Sequence, residues 1–243
     1  MLIEQQIEQF HSLDEWFKTP LGASVAAEFK KQLEPVLNYL KGESLLQLGH
    51  CGSNLWLDQL LFQHKWIASP QIAKDISLAC SLNQIPLQRN SLDCVVSPLV
   101  MEPFSSPLFI LDEIDRILKP MGYLIIFCFN PWSLWGGALK SGLLDCYAKK
   151  PLTMYTSFYL NRILMQRGYV QRSLSHFYYL PPVKKSSTLK KMYFLNEMGK
   201  MLWPFPSGFY CYIAQKYTPI TPSFIMEPVL NRFVSALPAT NYL

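Results

Sequence analysis

The sequence predicts an α/β fold built on a mostly parallel β-sheet with helices on both faces. Through most of the 243 residues, short apolar segments of strand length alternate with segments whose apolar residues recur at helical spacing. Half of the residues are hydrophobic and only 16% are charged, so the chain can bury a sizeable core and does not have the composition of a disordered protein. Its length suits one large domain.

Six segments have the pattern of strands. Each is a short apolar run that ends at glycine, proline or another residue typical of turns, as buried strands of a parallel sheet do. The predicted strands are 44–48, 65–68, 93–97, 123–129, 169–179 and 209–216. The last one follows a helix and a strand and could run antiparallel to its neighbours, which periodicity alone does not decide.

Helices are predicted between the strands, from the 3.6-residue period and from capping signals. Pro35 should kink the first helix or end it early, and Asn54 and Pro107 lie at predicted helix starts. Residues 71–91 have no clear pattern, and 130–155 is predicted to be a loop. The predicted helices cover 22–40, 54–61, 107–118, 156–168 and 187–203.

Charge, cysteine spacing and the N-terminus restrict the class of protein. The net charge of +5 permits an anionic partner without requiring one. Lysines at 184, 185, 190 and 191 have the pattern of a solvated face and leave RNA as a weakly supported alternative substrate. The six cysteines form no C-x-x-C pair, so no metal site is expected and the thiols should be reduced. With acidic residues near its start and no membrane-length apolar run, the chain is expected to be cytoplasmic.

The loop after the first predicted strand is a candidate ligand site. In open α/β sheets, ligands bind beyond the carboxyl ends of the strands. Gly49 and Gly52 would allow the backbone to approach a ligand closely, although two glycines in a tight turn are an equally good interpretation. Their G-x-x-G spacing is not the G-x-G-x-x-G fingerprint of dinucleotide-binding proteins, so an oxidoreductase is the least supported hypothesis.

Residues 91–122 resemble the second half of a class I S-adenosylmethionine-dependent methyltransferase domain of type 11. The runs WFKTPLG at 16–22, NPWSLWG at 130–136 and YIAQK at 212–216 resemble a poorly characterised bacterial subgroup, so that the resemblance covers about 20–217. It implies a Rossmann-like three-layer sandwich whose seven-stranded sheet is mostly parallel with an antiparallel last strand. The matching residues of the central segment are Asp93, Glu113, Arg116, Leu118, Pro120 and Gly122.

The resemblance also implies S-adenosylmethionine or S-adenosylhomocysteine as the cofactor. Gln47, Ser69 and Ser81 stand where family members usually carry acids that face the methionine ammonium, the ribose hydroxyls and the adenine amine. A charged hydrogen bond contributes about 1.5–3 kcal/mol, so the absence of three acids weakens the expected binding. The implied cofactor-binding residues are Gln47, Gly49, His50, Cys51, Gly52, Ser69, Ser81, Leu82, Pro98, Leu99 and Val100.

No catalytic residue is assigned from the sequence. Glu102 could act as a base or be a surface acid, and methyl transfer from a sulfonium needs alignment more than it needs a base. The tryptophans after strand 123–129 either form a wall of the acceptor site or pack their loop onto the core. The predicted substrate-side residues are Trp16, Phe17, Asn130, Pro131, Trp132 and Trp135.

Two functions remain open at this point. The first is a methyltransferase acting on an acceptor that is expected to be a small molecule. The second is a catalytically degenerate methyltransferase-fold protein that serves as an interaction module, which a filled cofactor groove would favour. We expect a domain over 1–217, with an N-terminal helical cap at 1–40 and substrate-side insertions at 131–206, followed by a tail at 218–243 through which a homodimer could form.

Overall fold

A computed structural model of the chain describes residues 1–148, 152–182 and 206–217. Within these ranges seven strands form one sheet in the order β3-β2-β1-β4-β5-β7-β6. Neighbouring strands are parallel from β3 through β5, and β7 runs antiparallel to both β5 and β6, which confirms the predicted sheet. The strands are β1 (Lys41–Leu48), β2 (Leu61–Ser69), β3 (Leu78–Ala79), β4 (Leu92–Pro98), β5 (Leu118–Phe129), β6 (Tyr169–Phe177) and β7 (Phe209–Lys216).

Five α-helices accompany the sheet in the described part of the chain. As predicted, Pro35 limits the helix of residues 22–40: α2 ends at Leu33 and continues only as a short 3₁₀ turn, Glu34–Val36. Thr156 caps α5 by accepting a hydrogen bond from the Tyr159 N–H at 3.1 Å. The helices are α1 (Ile3–Lys18), α2 (Pro20–Leu33), α3 (Leu108–Ile117), α4 (Leu134–Lys140) and α5 (Ser157–Gln166).

The helices cover both faces of the sheet. Phe29 of α2 stacks on Phe127 of β5 with ring centroids 4.1 Å apart, and it also contacts Phe209 of β7. Tyr212 lies three residues beyond Phe209, so its side chain points to the other face, where its hydroxyl lies 2.5 Å from Asn161 of α5. The molecule is therefore a three-layer Rossmann-like sandwich, as the resemblance implied.

The WFKTPLG run forms the corner between α1 and α2. The Thr19 hydroxyl donates to the Trp16 carbonyl at 2.7 Å and accepts from the Gly22 N–H at 3.1 Å, and Pro20 occupies the first turn of α2. A Cβ atom at Gly22 would lie only 2.2 Å from the Trp16 carbonyl oxygen. The motif thus fixes how the two helices meet.

The NPWSLWG run starts a helix, so the prediction of a loop over 130–155 was wrong in part. The Asn130 side chain accepts from the Trp132 N–H at 3.2 Å, which makes the turn that leads into α4. Ser133 then caps α4 through a 3.1 Å hydrogen bond from the Gly136 N–H. Trp135 is buried and donates its indole N–H to the Leu180 carbonyl at 2.6 Å.

The helix predicted to begin at Asn54 does not form. Strand β2 begins at Leu61, four residues earlier than predicted, so only a short turn-rich segment connects β1 to β2. Trp56 of that segment is fully buried and packs against Phe29 and Phe127. The connection between β1 and β2 is thus anchored to the core by one large side chain.

The segment from 80 to 91 also lacks a helix and is held by side chains of α3. Arg116 donates to the carbonyls of Leu87 at 2.6 Å and Ile85 at 2.5 Å, and Glu113 accepts from the Ile85 N–H at 3.0 Å. An ion pair of 2.8 Å joins Glu113 to Arg116. Two residues of the family pattern therefore have structural roles here.

Several predicted features lie outside the described residues. These are the helix over 187–203, the lysine cluster and the tail at 218–243. All six cysteines lie in the described ranges as free thiols, and five of them are buried. Across those same ranges, none of the helices has the length and apolar character needed to cross a membrane.

Candidate cofactor groove

The carboxyl ends of β1 and β4 meet at the centre of the sheet, where the strand order reverses. Open α/β sheets bind ligands at this position. We call the surface there the strand-end groove. It consists of Gly49–Asn54 after β1, Ser69 at the end of β2, Ser81–Leu82 after β3, Pro98 at the end of β4 and Leu99–Val100 after it. The fold thus brings the predicted cofactor-binding residues to one edge of the sheet.

The loop after β1 has the tight backbone that its glycines predicted. Gly49 and Gly52 have φ angles of 75° and 59°, and Asn54 has a φ of 48°. The Asn54 side-chain oxygen accepts from the Cys51 N–H at 3.0 Å, and the Gly49 N–H donates to the Ala68 carbonyl at 2.7 Å. The loop is therefore held by its own hydrogen bonds and by β2.

The Gln47 side chain forms its hydrogen bonds with other groups of the protein. Its side-chain N–H groups donate to the Gly49 carbonyl at 2.9 Å and to Asn54 Oδ1 at 2.5 Å, and its Oε1 accepts from the Trp56 indole at 2.8 Å. Gln47 is fully buried. At the position where the resemblance implies an acid, this chain has an amide whose hydrogen bonds stabilise the loop after β1.

Helix α1 lies in the strand-end groove and fills it. At its N-terminal part, Gln6 Nε2 donates to Ser81 Oγ at 2.9 Å, and Gln6 Oε1 accepts from the Leu82 N–H at 2.9 Å. Gln6 is fully buried. One amide of α1 therefore pairs with both residues that the resemblance assigns to the adenine.

Asp14, two turns further along α1, engages the loop after β1. Its Oδ1 accepts from the Gly52 N–H at 2.7 Å and lies 2.7 Å from His50 Nδ1, and Lys18 pairs with Oδ2 at 2.9 Å. Burial alone would raise the pKa of Asp14, but the hydrogen bonds from His50, Lys18 and Gly52 outweigh it and lower the pKa to about 2. Because this carboxylate can only accept, His50 must carry its proton on Nδ1.

Phe10 lies between these two polar contacts. A Cβ atom at Gly49 would be 3.4 Å from the Phe10 ring and 3.5 Å from the Val100 side chain. Residues 6, 10 and 14 are spaced by four, so they share one face of α1. That face runs along the groove from Ser81 to Gly52.

Two fully buried serine hydroxyls at the strand ends have no hydrogen-bond partner among the described residues. They belong to Ser69, which the resemblance assigns to the ribose hydroxyls, and to Ser97 of β4. Ser69 shares the sheet face of Gln47, because Ile67 is the register partner of Gln47. Ser97 faces the other side, since its neighbour Val96 pairs with Gln47. Only Ser69 is thus directed toward the α1 and α2 layer.

The segment after β4 is buried beneath α1. Leu99 has a φ of 56°, which is unusual for a leucine, and its carbonyl accepts from the Tyr147 hydroxyl at 2.6 Å. The Cys51 thiol lies 3.9 Å from the Pro98 carbonyl, and burial raises its pKa well above the ordinary value. This thiol is therefore protonated and unsuited to act as a nucleophile.

Glu102 is 1% exposed, so the interpretation as a surface acid was wrong. Its Oε1 accepts from the Phe129 N–H at 3.0 Å, and the Tyr147 hydroxyl lies 3.5 Å from Oε2. Burial raises its pKa to about 7 despite these hydrogen bonds. The side chain ties the loop after β4 to the end of β5.

The predicted substrate-side residues divide between core and surface. Trp16 contacts Trp135 edge to face at 6.3 Å, and both rings are buried. Phe17 packs against Trp56 and covers Gly52. Trp132 is 77% exposed, next to the half-buried Pro131, and Asn130 donates to the Ser207 carbonyl at 3.0 Å. Trp135 therefore anchors its loop to the core, and Trp132 borders solvent.

An open groove of about 650 Å³ lies on the opposite side of α1. We call it the outer groove. It is within the size range of small-molecule sites, and α1 separates it from the strand-end groove. The residues that line it include His11, Trp16, Leu21, Leu144 and Asp145.

Sequence analysis missed the residues of α1 that occupy the strand-end groove. Gln6 and Asp14 are polar, and polar residues on a terminal helix are ordinarily exposed. The available signal was their common spacing with Phe10, which places two polar groups on the same face as an aromatic ring. The pattern did not show that this face would be turned inward.

Comparison with known proteins agrees with the resemblance. The type 11 family model, described as a methyltransferase domain, matches residues 55–126. The uncharacterised protein YafS of Escherichia coli (strain K12) is 25% identical over 123 residues, which are 51% of this chain and 51% of that protein. The chain thus spans about half the length of the curated relative that it matches.

Solved structures with a similar fold are S-adenosylmethionine-dependent methyltransferases. One from Thermotoga maritima, described as a possible histamine N-methyltransferase, has a TM-score of 0.54 and 18% identity over 76% of this chain and 87% of its own. One from Archaeoglobus fulgidus has a TM-score of 0.53 and 18% identity over 79% and 94%. A chain from the complex between the Haloferax volcanii Trm112 methyltransferase activator and the putative methyltransferase has a TM-score of 0.55 and 14% identity over 85% of this chain and 98% of its own. At these identities the likeness shows the fold.

Proposed function

We propose that this chain, which has the fold and the central segment of a class I S-adenosylmethionine-dependent methyltransferase, transfers a methyl group to a small acceptor. The observation that carries the proposal is the arrangement of donors and acceptors in the strand-end groove. Gly52 and His50 hold a carboxylate at one end, and Ser81 and Leu82 hold an amide at the other. The ends of the cofactor present a carboxylate and, on the adenine edge, a donor beside an acceptor as in an amide.

The adenine edge fits the contacts of Ser81 and Leu82. Adenine offers an amino donor beside a ring-nitrogen acceptor, and a glutamine amide offers the same donor and acceptor pair. Gln6 demonstrates that Ser81 Oγ can accept and that the Leu82 N–H can donate to such a pair, both at 2.9 Å. A hydroxyl in place of an acid supports this pairing without adding charge.

The cofactor carboxylate fits the contacts of Gly52 and His50. Both donate to one carboxylate oxygen of Asp14 at 2.7 Å. The Ser69 hydroxyl, buried without a partner among the described residues, supplies a third polar contact at the ribose position. Gln47 supplies none to the ammonium, because its amide is already fully engaged. We therefore expect weaker binding than in family members with all three acids.

The bound cofactor would supply an electrophilic methyl group on a sulfonium. The side chains of this chain contribute orientation and exclusion of water, since Pro98, Leu99 and Val100 form an apolar surface at the groove. Cys51 and Glu102 are buried in hydrogen-bonded or apolar surroundings and have no assigned part in proton transfer.

Calorimetric titration with S-adenosylhomocysteine tests the proposal on the full chain. The variant Ser69→Ala should bind about threefold to tenfold more weakly, because one hydrogen bond to the ribose is lost. Its melting temperature should not fall, since the hydroxyl satisfies nothing in the free protein. Ser97→Ala is the matched control, because it removes an equally buried hydroxyl from the opposite sheet face. Absence of heat at millimolar ligand, with the folded chain and with folded variants that weaken α1, would contradict the proposed function.

A second candidate function is an interaction module that binds no cofactor. The filling of the strand-end groove by α1 is the observation that favours it. This candidate predicts that neither the chain nor any variant that weakens α1 binds S-adenosylhomocysteine. The two candidates therefore give opposite results in the same titration.

A further inference from the structure

We propose that α1 is an internal competitor of the cofactor, which occupies the strand-end groove with groups that imitate both ends of S-adenosylmethionine. The structure accordingly represents a closed state, in which the groove opens only when α1 moves away. This inference rests on the proposed function and adds a regulatory step to it.

The first support is chemical. Gln6 presents a donor and an acceptor to Ser81 and Leu82, as the adenine edge would. Asp14 presents a carboxylate to Gly52 and His50, as the amino-acid end of the cofactor would. Two different groups of one helix each match the ligand group expected at their position.

The second support is the order of the groups along the helix. Gln6 and Asp14 are eight residues apart, which corresponds to about 12 Å of helix. Phe10 lies between them against Gly49, where the middle of a ligand stretched along the groove would lie. The helix therefore presents base-like, apolar and carboxylate groups in the sequence in which an extended nucleoside amino acid would present them.

The third support is that the helix fits the groove incompletely. Ser69 Oγ, at the end of β2, is buried without a hydrogen-bond partner among the described residues, and so is Gln9 Oε1 of α1. A buried polar atom without a partner destabilises the state that contains it. The closed state thus carries a penalty that a ligand with ribose hydroxyls would remove at Ser69.

Affinity measurements on α1 variants test the competition. Gln6→Ala removes the imitating amide and Asp14→Ala removes the imitating carboxylate, and neither change touches Ser81, Leu82 or Gly52. Each should raise the affinity for S-adenosylhomocysteine about tenfold, because the ligand then displaces a more weakly held helix. Gln5→Ala and Glu4→Gln are control variants on the exposed side of α1 and should leave the affinity unchanged.

Hydrogen exchange gives a second readout that does not depend on activity. Adding S-adenosylhomocysteine to the wild-type chain should speed exchange of the amides of residues 3–18, because α1 leaves the groove. A merely structural role for Gln6 and Asp14 would lower the melting temperature of their variants without raising ligand affinity. Either of the two variants suffices if the other fails to fold.

Three results overturn the inference, and they separate it from the proposed function. If the wild type binds and the Gln6 and Asp14 variants bind equally or more weakly, α1 does not compete, although the chain still binds the cofactor. If residues 3–18 become more protected on binding, α1 closes over the ligand instead of leaving it. If no variant binds, both the inference and the proposed function are wrong and the groove is permanently filled.

Discussion

At the scale of single residues, the contacts of Gln47 show why an acid at this position would destabilise the folded chain. Both its N–H donors and its acceptor are used by neighbours that are themselves buried. A carboxylate could not donate to the Gly49 carbonyl or to Asn54 Oδ1, so restoring an acid would leave buried acceptors facing each other. Gln47, which departs from the family pattern, thus stabilises the folded chain through its hydrogen bonds.

We expect Gln47→Glu to lower the free energy of unfolding by about 2–4 kcal/mol, because it buries a charge without donors. Urea unfolding followed by circular dichroism measures this change. Gln88→Glu makes the same substitution at an exposed position and should change stability little. Equal stability of the two variants would show that the Gln47 amide is not structural.

Glu102 makes the folded protein less stable as the pH rises, which is the opposite of the usual effect of a carboxyl group in a protein. Its pKa rises from 4.5 to about 7 on folding, so the folded protein binds the proton more tightly than the unfolded chain does. Stability is therefore highest below about pH 4.5 for this group and falls as the pH rises toward 7, by about 3 kcal/mol. Asp14, whose pKa is lowered to about 2, has the opposite pH dependence: its contribution to stability is complete above about pH 4 and is lost as the pH falls toward 2.

Unfolding measured at pH 5 and pH 7.5 isolates this effect. Glu102→Gln keeps the acceptor for the Phe129 N–H and does not titrate, so its stability relative to the wild type should increase with pH. Parallel pH profiles for the two proteins would mean that Glu102 is charged at neutral pH in the folded state.

At the scale of helices and strands, the corner between α1 and α2 depends on close backbone approach. Gly22→Ala would place a methyl group 2.2 Å from the Trp16 carbonyl oxygen, so the helices must separate or tilt. We expect a loss of about 1–3 kcal/mol, measured by thermal or urea unfolding. Gly137→Ala, in α4 with nothing near its Cβ position, should instead be neutral or stabilising. Similar losses in both variants would contradict this account of the corner.

Sequence patterns predicted strands better than helices in this chain. Strands 93–97, 123–129 and 209–216 are confirmed. They were predictable because strands buried on both faces appear in the sequence as continuous apolar runs. The helix expected at Asn54 was wrong because the apolar pair Leu60 and Leu61 belongs to the entry into β2. Short α4 was missed, although Asn130 and Ser133 carry its turn and cap signals.

The candidate site was predictable only in part for a related reason. The glycine loop and the strand ends follow from the fold, so their residues could be located from sequence. The partners of those residues come from α1, which is distant in the chain, and no local pattern connects Gln6 to Ser81 or Asp14 to Gly52. The assignments of individual cofactor-binding and substrate-side residues remain predictions.

At the scale of the whole molecule, the β3 side of the sheet has fewer strand pairings and fewer helical connections than the side formed by β5 and β7. The connections before and after β3 lack helices, and β3 pairs with β2 at only two positions, whereas β5 and β7 pair over seven. The side of the sheet that carries the proposed adenine contacts should therefore open locally more readily than the side formed by β5 and β7.

Hydrogen exchange followed by mass spectrometry checks this difference without any ligand. Peptides covering 70–91 should exchange much faster than peptides from β5 and β7, whose amides are paired within the sheet. Comparable protection of both regions would show that the side chains of α3 hold the 80–91 segment as firmly as a sheet holds its strands.

The edge-to-face contact between Trp16 and Trp135 has a practical consequence. Trp16 belongs to α1 and is 6% exposed, whereas Trp135 is fixed in the core. Departure of α1 from the sheet would transfer one indole from an apolar environment into water and shift its fluorescence emission to longer wavelengths. The difference spectrum between the wild type and Trp16→Phe therefore provides an intrinsic optical signal for the position of the helix, without an added dye.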